Sequence, residues 1–384
     1  GETHPLHAPS FQGNEWAYVK ECLDTGWVSS AGAFVDRFER HLQEATGVPH
    51  AVAVVNGTAA LHVALHVVGV RPGDEVIVPD LTFAASANSV FHAGAKPVFV
   101  DIDPGTWNMN PAQVEAAITD RTKAIMAVHL YGNPCDMGAL QELKRTHNLV
   151  LIEDAAEAHG TEWQGQRAGS FGDVSCFSFY GNKTLTTGEG GMCLTDDETL
   201  CQEMKTLRDH GMDPDRRYWH DRVGYNYRMT NLQAAVGLAQ LERIESLIQK
   251  KIQIAETYQS LLDVDTFLFP QVASGNRCTY WLSSLLLPEN VDRTEVQKEM
   301  ANRGIETRPF FYPMHVLPPY KSGTSFPISE TVSRQGLSLP SSVILEEDEV
   351  RFVASTLQAS VEASLSPQVT TRPLEDIDRK TQRE

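Results

Sequence analysis

The sequence predicts an α/β fold: a large, mostly parallel seven-stranded sheet covered by helices, followed by a smaller C-terminal α+β unit. Short apolar runs alternate with helix-like stretches through the first two thirds of the chain, the pattern of β–α units. After about residue 229 this alternation gives way to a long helical stretch and then to mixed elements. At 384 residues there is enough chain for one large and one smaller core.

The expected strands are Ala51–Val55, Glu75–Pro79, Pro97–Asp101, Lys123–His129, Leu149–Asp154, Val174–Phe179 and Gly191–Leu194. Helices are expected at about Thr58–Val68, Ala84–Ala93, Pro111–Ile118 and Met137–Thr146. Met229–Leu262 reads as one long, broken helical stretch, followed by a strand at Thr279–Leu287 and helices at Arg293–Arg303 and Glu347–Ala363. The expected division is residues 1–245 for the large domain with its N-terminal segment and 246–365 for the small one. Residues 366–384 form a polar tail with Pro367 and Pro373 and alternating charges, expected to be disordered.

A net charge of −18 argues against a nucleic-acid partner, while leaving local arginines free to meet a small anion. No stretch approaches the roughly 20 apolar residues of a membrane span, and no basic-then-apolar leader opens the chain. The first residue is Gly1 rather than Met, which allows a processed start. Cys22, Cys135, Cys176, Cys193, Cys201 and Cys278 are scattered, with no CxxC pair. A reduced cytoplasmic protein without a structural metal is therefore expected. His129, His159 and His210 show no metal spacing and read as structural.

Ligands of such sheets gather beyond the carboxyl ends of the strands, where Val54-Val55-Asn56-Gly57-Thr58, Asp154 and Ser178 all fall. Asp154 closes an apolar run, and Lys183 follows in a loop rich in small and aromatic residues, Ser178–Gly191. A strand-end carboxylate and a loop lysine roughly thirty residues apart suit pyridoxal 5′-phosphate (PLP): the lysine holds the aldehyde as a Schiff base, and the aspartate keeps the pyridine nitrogen protonated. Next to that cation Asp154 is expected to stay ionised, and desolvation among Phe177, Phe179 and Tyr180 is expected to lower the pKa of the Lys183 amine. Asn56-Gly57-Thr58-Ala59 opens a helix after a strand, so its free N–H groups, with the hydroxyls of Thr58 and Ser178, suit a phosphate. The plain alternative makes Thr58 an ordinary helix cap and Asp154 a turn cap. Gly188-Glu189-Gly190-Gly191 has neither the GK[ST] ending nor the GxGxxG spacing of a nucleotide loop.

With Asn56–Leu61, Glu153–Gly160, Ser178–Met192 and Gly224–Ala235 assembled in order, the chain resembles the DegT/DnrJ/EryC1/StrS family of sugar aminotransferases from about Pro5 to residue 360. The resemblance implies a fold-type I PLP-dependent aminotransferase, with pyridoxamine phosphate as the alternate cofactor form. It implies that Lys183 carries the Schiff base, that Asp154 pairs with the pyridine nitrogen, and that Thr58, Ser178 and the N–H groups around Gly57 and Ala59 hold the phosphate. Phe83 stands where the family stacks an aromatic on the ring. Asn231 matches an asparagine reaching the phosphate of a neighbouring subunit's cofactor, which implies a homodimer or dimer of dimers with shared sites. Glu157 stands where many relatives carry glutamine, and a carboxylate donates no hydrogen bond there unless protonated.

Within the family, His129–Met137, Arg217–Asp221 and Glu306–His315 look most like enzymes that aminate C4 of GDP-linked keto-sugars. Gly13–Glu15 and Gly26–Gly32 are similar to those acting on UDP-linked keto-sugars in bacillosamine and legionaminic acid pathways. The implied partners are a nucleotide-linked 4-keto-6-deoxyhexose and L-glutamate. Arg208, Arg217, Arg222, Arg228 and Arg308 form the pool for the sugar pyrophosphate, with Tyr312 and His315 as sugar contacts. The family's sugar 3-dehydratases carry histidine in place of the Schiff-base lysine, so Lys183 disfavours that activity. A non-catalytic sugar-nucleotide sensor would not need the lysine, aspartate and phosphate ligands all kept here.

Overall fold

The computed structural model describes residues 3–365. The expected tail at 366–384 lies outside the described residues. In chain order the first part comprises α1 (Glu15–Thr25), α2 (Ala33–Thr46), β1 (His50–Val54), α3 (Gly57–Val67), β2 (Glu75–Pro79), α4 (Ala84–His92), β3 (Lys96–Val100), α5 (Pro111–Ala117) and β4 (Thr122–Val128). Then come α6 (Met137–His147), β5 (Val150–Asp154), a short hairpin of β6 (Glu162–Trp163) and β7 (Gln166–Arg167), β8 (Val174–Ser178), β9 (Gly191–Thr195) and α7 (Glu198–Arg208). The remainder is α8 (Asn231–Leu241), α9 (Ile244–Leu261), β10 (Ser283–Leu286), α10 (Arg293–Asn302), β11 (Arg308–Pro309), α11 (Pro327–Gln335), β12 (Gly336–Leu339) and α12 (Glu347–Leu365).

Seven strands form one sheet in the order β1-β9-β8-β5-β4-β2-β3. Its β-branched runs, such as Glu75–Pro79 and Val150–Asp154, are buried almost throughout, as a sheet covered on both faces requires. The pairs β2/β3, β2/β4, β4/β5 and β5/β8 are parallel, and β9 is antiparallel to both β1 and β8. One face packs Val52, Leu61 and Met126 with α3 and α7, and the other packs Phe38, Phe177 and Leu238 with α2 and α8. Side chains of this size contribute about 1.5–3 kcal/mol each when fully buried. A second sheet, β10-β12-β11, packs its Leu285, Leu337 and Leu339 against Tyr258, Met300 and Leu357 of α9, α10 and α12.

The long helical stretch breaks at Arg243, whose φ of −124° is not helical, and yields α8 and α9. The capping box of Thr230 and Gln233 starts α8. Residues 4–8, placed with the large domain by sequence, bond instead to the C-terminal part. His4 N donates to Gly304 O (2.8 Å) and Ser341 N to Leu6 O (2.8 Å). Helices α1, α2, α7 and α11 were not among the expected elements, although α2 buries Phe34, Val35, Phe38 and Leu42 on one amphipathic stripe. Among the described residues no helix is long and apolar enough to cross a membrane.

Candidate active site

Strand pairing brings the expected site residues to one edge of the sheet. Gly191 at the start of β9 lies opposite both Ser178 and Val54, and Asp154 ends the parallel neighbour β5. Beyond these ends opens a cavity of about 570 Å³, lined by Gly57, Thr58, Phe83, Asp154, Glu157, Ser178, Lys183, Trp281 and Arg308 among others.

The anion cradle is the start of α3. Asn56, not Thr58, is its cap: Asn56 Oδ1 accepts from Ala59 N at 2.8 Å. The Ala59 N–H is therefore occupied, which leaves the amides of Gly57 and Thr58 as the first-turn donors without an intrahelical acceptor. Gly57 is required by proximity, since a Cβ there would lie 2.8 Å from Ser178 Cβ. Lining the same cavity, Asn182 has a buried Oδ1 with no protein partner.

Asp154 is 6% exposed. Its Oδ2 accepts from Ser86 Oγ at 2.7 Å and its Oδ1 from Ala156 N at 3.2 Å. Burial raises its pKa in the chain alone, and these donors together with the Lys183 charge pull the other way. A cation placed against its free lone pairs would restore the low value expected from the sequence. Ser86, itself bonded to Thr82 Oγ1 at 3.0 Å, was missed by sequence reasoning and orients this carboxylate.

Lys183 has a side chain only 11% exposed, and Nζ lies 3.5 Å from Glu157 Oε1. Burial lowers its pKa, with Glu157 and Asp154 opposing. Glu157 is buried, its Oε2 accepts from Tyr131 N at 2.7 Å, and burial raises its pKa despite Lys183. Lys183 Nζ also sits 3.7 Å from the ring centroid of Trp281, a residue the sequence reading noted only as part of a strand. Phe83 is 59% exposed in the cavity wall, with its ring 5.7 Å from that of Phe311.

The other expected residues divide. Arg308 lines the cavity, half-buried. Arg208 does not: it is held by Glu39 (2.7 Å) and Ala53 O (2.6 Å) beside a separate cavity that also contains Lys205 and Arg228. Arg217 and Arg222 are exposed, Arg217 over the ring of Tyr218 at 5.0 Å. Tyr312 is 62% exposed, whereas His315 is buried against Asp80 (2.7 Å) and Glu330 (3.2 Å). Asn231 is also elsewhere. It is 2% exposed, its Oδ1 accepts from Phe34 N at 3.0 Å and its Nδ2 donates to Trp27 O at 2.7 Å. The second Nδ2 proton points to Cys22 Sγ at 3.3 Å, so within this chain the carboxamide is bonded internally, and a contact with a neighbour's phosphate would require one of these bonds to be exchanged.

The six cysteines are free and buried. Among the described residues no group of three or more His, Cys, Asp or Glu side chains is arranged to hold a metal ion. His159 packs between Phe177 and Phe179, with ring centroids at 5.3 and 5.7 Å, and burial pushes its pKa down to about 3.

A phosphate-sized cradle, a buried carboxylate with spare acceptor sites, an exposed aromatic wall and a desolvated lysine fit PLP. Comparison with known proteins agrees. GDP-perosamine synthase of Caulobacter vibrioides is 49% identical over 91% of this chain and 96% of its own. GDP-perosamine synthase of Escherichia coli O157:H7 is 45% identical over 92% and 97%. Among solved structures, Spr1654 from Streptococcus pneumoniae in its PMP form matches with a TM-score of 0.90 and 30% identity, covering 95% of this chain and 99% of that one. The same protein is also known in a PLP form. Residues 9–358 match the DegT/DnrJ/EryC1/StrS aminotransferase family, and the chain belongs to it as a PLP-dependent sugar aminotransferase.

Proposed function

We propose that the enzyme transfers the amino group of L-glutamate to C4 of a GDP-linked 4-keto-6-deoxyhexose, giving a 4-amino-4,6-dideoxy sugar nucleotide. The observation that carries this reading is 45–49% identity to GDP-perosamine synthases over more than nine tenths of the chain.

When bound, PLP supplies an electron sink for the carbon that loses its proton. The chain does the rest. The hydroxyls of Thr58 and Ser178 and the amides of Gly57 and Thr58 would hold the phosphate, and the helix start favours its charge. Asp154, kept in place by Ser86, would hold a proton on the pyridine nitrogen through ionic attraction. Phe83, exposed in the cavity wall, would cover one face of the ring. Lys183 would anchor the cofactor and, when its amine is free, would accept and return a proton at Nζ; burial lowers its pKa towards the working pH, as a general base requires. Burial raises the pKa of Glu157 and the Lys183 charge lowers it, so that carboxyl would be protonated, and able to donate where an amide would otherwise serve, only when the ammonium beside it is absent. Arg308 at the cavity wall is the best-placed cation for the sugar pyrophosphate.

The active unit is read as a homodimer or a dimer of dimers. Exposed Trp16 (82%), Leu23 (61%) and Trp27 (58%) in and just after α1 support burial against a second copy. The free buried cysteines suit a reducing cytoplasmic setting.

The test is spectroscopic. The visible band of the PLP-loaded protein should fall on addition of L-glutamate and return with GDP-4-keto-6-deoxymannose, with an amino sugar appearing by mass. Return only with a UDP-linked keto-sugar would reject the GDP assignment. No response to glutamate would reject glutamate as donor.

A further inference from the structure

Trp281 is fixed from every side. Its indole Nε1–H donates to Asn182 O at 2.6 Å, the carbonyl of the residue that precedes Lys183. Its own carbonyl accepts from the buried Lys251 Nζ at 2.9 Å, and its amide donates to Tyr131 O at 3.1 Å. The Tyr131 ring lies nearly parallel to it, 6.1 Å away at 20°. Tyr131 and Tyr280 both have positive φ (53° and 47°), backbone that non-glycine residues adopt only when their surroundings impose it. Gly132 allows the two turns to meet, since a Cβ there would lie 2.9 Å from Tyr280 N. The surroundings therefore hold one aromatic face in one orientation, and Lys183 Nζ rests on that face at 3.7 Å from the centroid. Glu157 Oε1 flanks the same amine at 3.5 Å.

We propose that Trp281 is a positioning residue for Lys183: its indole face and the Glu157 carboxylate form a resting site that retains the lysine ammonium in the cavity whenever it is not bonded to the cofactor. The inference rests on Lys183 being the Schiff-base lysine. A cation over a ring face is attracted by the negative face of the π system, most strongly at tryptophan and more so when desolvated. The site therefore favours the protonated amine and opposes the effect of burial. It also keeps the freed side chain from swinging out to solvent between its two proton transfers. Asn182 O, tied to the indole N–H, fixes the backbone from which the lysine extends.

The experiment measures how fast Lys183 is acylated by acetic anhydride as a function of pH. It uses the full-length chain with pyridoxamine 5′-phosphate, the cofactor form that leaves the amine free, and reads the Lys183 peptide by mass spectrometry. Losing the aromatic face removes stabilisation of the cation, so the labelling midpoint in Trp281→Leu should fall by about half to one and a half pH units. Glu157→Gln should lower it too, and Trp281→Phe should lower it less than the leucine variant. An unchanged midpoint in a folded Trp281→Leu protein overturns the proposal. Should that variant not fold, replacing all 6 tryptophans by mono-, di- and trifluorotryptophan decides. A stepwise fall with fluorination supports a π-face contact, and a constant midpoint rejects it. Borohydride reduction of the PLP-loaded protein tests the underlying assignment separately, because cofactor fixed on any other lysine would reject Lys183 itself.

Discussion

Glu153, next to Asp154, accepts a hydrogen bond from His129 Nε2 at 2.8 Å with neither side chain exposed to solvent. His129 Nδ1 accepts from Cys135 N at 3.1 Å, so the geometry fits the neutral ring with its proton on Nε2. Glu153 also accepts from Gly169 N, Phe171 N, Gly172 N and Ser175 Oγ, all at 2.7–2.8 Å. Burial alone would raise its pKa, but His129 foremost, then Gly169 N and Ser175 Oγ, outweigh it and hold the carboxyl below its ordinary value. A carboxylate depressed in this way stabilises the fold above the unfolded pKa of about 4.3, and that contribution is lost as pH falls through the folded value. Glu153→Gln places an amide NH₂ among donors and should cost about 2–4 kcal/mol at pH 7. Urea melts at pH 7 and pH 4 should show the wild-type advantage shrinking on acidification. An equal gap at both would mean that charge is not the cause.

Gly57→Ala tests the phosphate cradle. The added methyl would meet Ser178 Cβ at 2.8 Å, so either β8 or the start of α3 must move. Overpacking of this kind costs about 1–3 kcal/mol. The expected outcome is a PLP dissociation constant raised at least tenfold, read by titrating the visible absorbance, with far-UV circular dichroism unchanged. Ordinary affinity for PLP in the variant would place the phosphate elsewhere.

The sheet and the chemistry at its edge were legible because both are local in sequence. β-branched runs end at Asp154 and Ser178, and the polarity change at each end marks where side chains meet a ligand. What stayed hidden depends on distant backbone. Nothing near Trp281 announces that Tyr131 and Gly132 will orient its ring, nor that Lys251 will hold its carbonyl. Arg208 looks like any phosphate-binding arginine until Glu39 and Ala53 O are seen to hold it. A polar side chain declares its chemistry in the sequence, but whether its atoms are already occupied is decided by the fold.

Asn231 illustrates this and yields its own prediction. Helix α2 begins after Gly32, which has no side chain to cap it, and Asn231 Oδ1 supplies the missing acceptor to Phe34 N from the first residue of α8. Asn231→Ala should therefore act on stability, at about 1–3 kcal/mol for the unpaired buried groups it leaves. Its melting temperature should fall while PLP affinity, measured at a temperature where both proteins are folded, stays within about twofold of the wild type. Weakened PLP binding without lost stability would instead support the phosphate contact that the sequence suggested.

His315 joins the segment carrying Phe311 and Tyr312 to the end of β2. Its amide donates to Asp80 Oδ1 at 2.9 Å, its Nδ1 lies 2.7 Å from Asp80 Oδ2, and Met314 N donates to Asp80 O at 2.7 Å. Burial raises the pKa of Asp80, and the bonds from His315 oppose it. His315 is 5% exposed, so the role expected of it is to hold the segment that carries Phe311 against Phe83 at the cavity wall. His315→Gln keeps a side-chain donor but shortens and softens the tie. Loss of a buried charge-assisted bond costs about 1.5–3 kcal/mol, so loosening this tie should raise KM for the sugar nucleotide by roughly tenfold or more. The half-reaction with L-glutamate, a far smaller substrate, should change little. Steady-state kinetics with the keto-sugar varied, set beside stopped-flow traces of the glutamate half-reaction, separate the two. A fall in the glutamate rate equal to the loss in sugar kcat/KM would place His315 among the groups that serve both substrates, not in the wall that receives the nucleotide sugar.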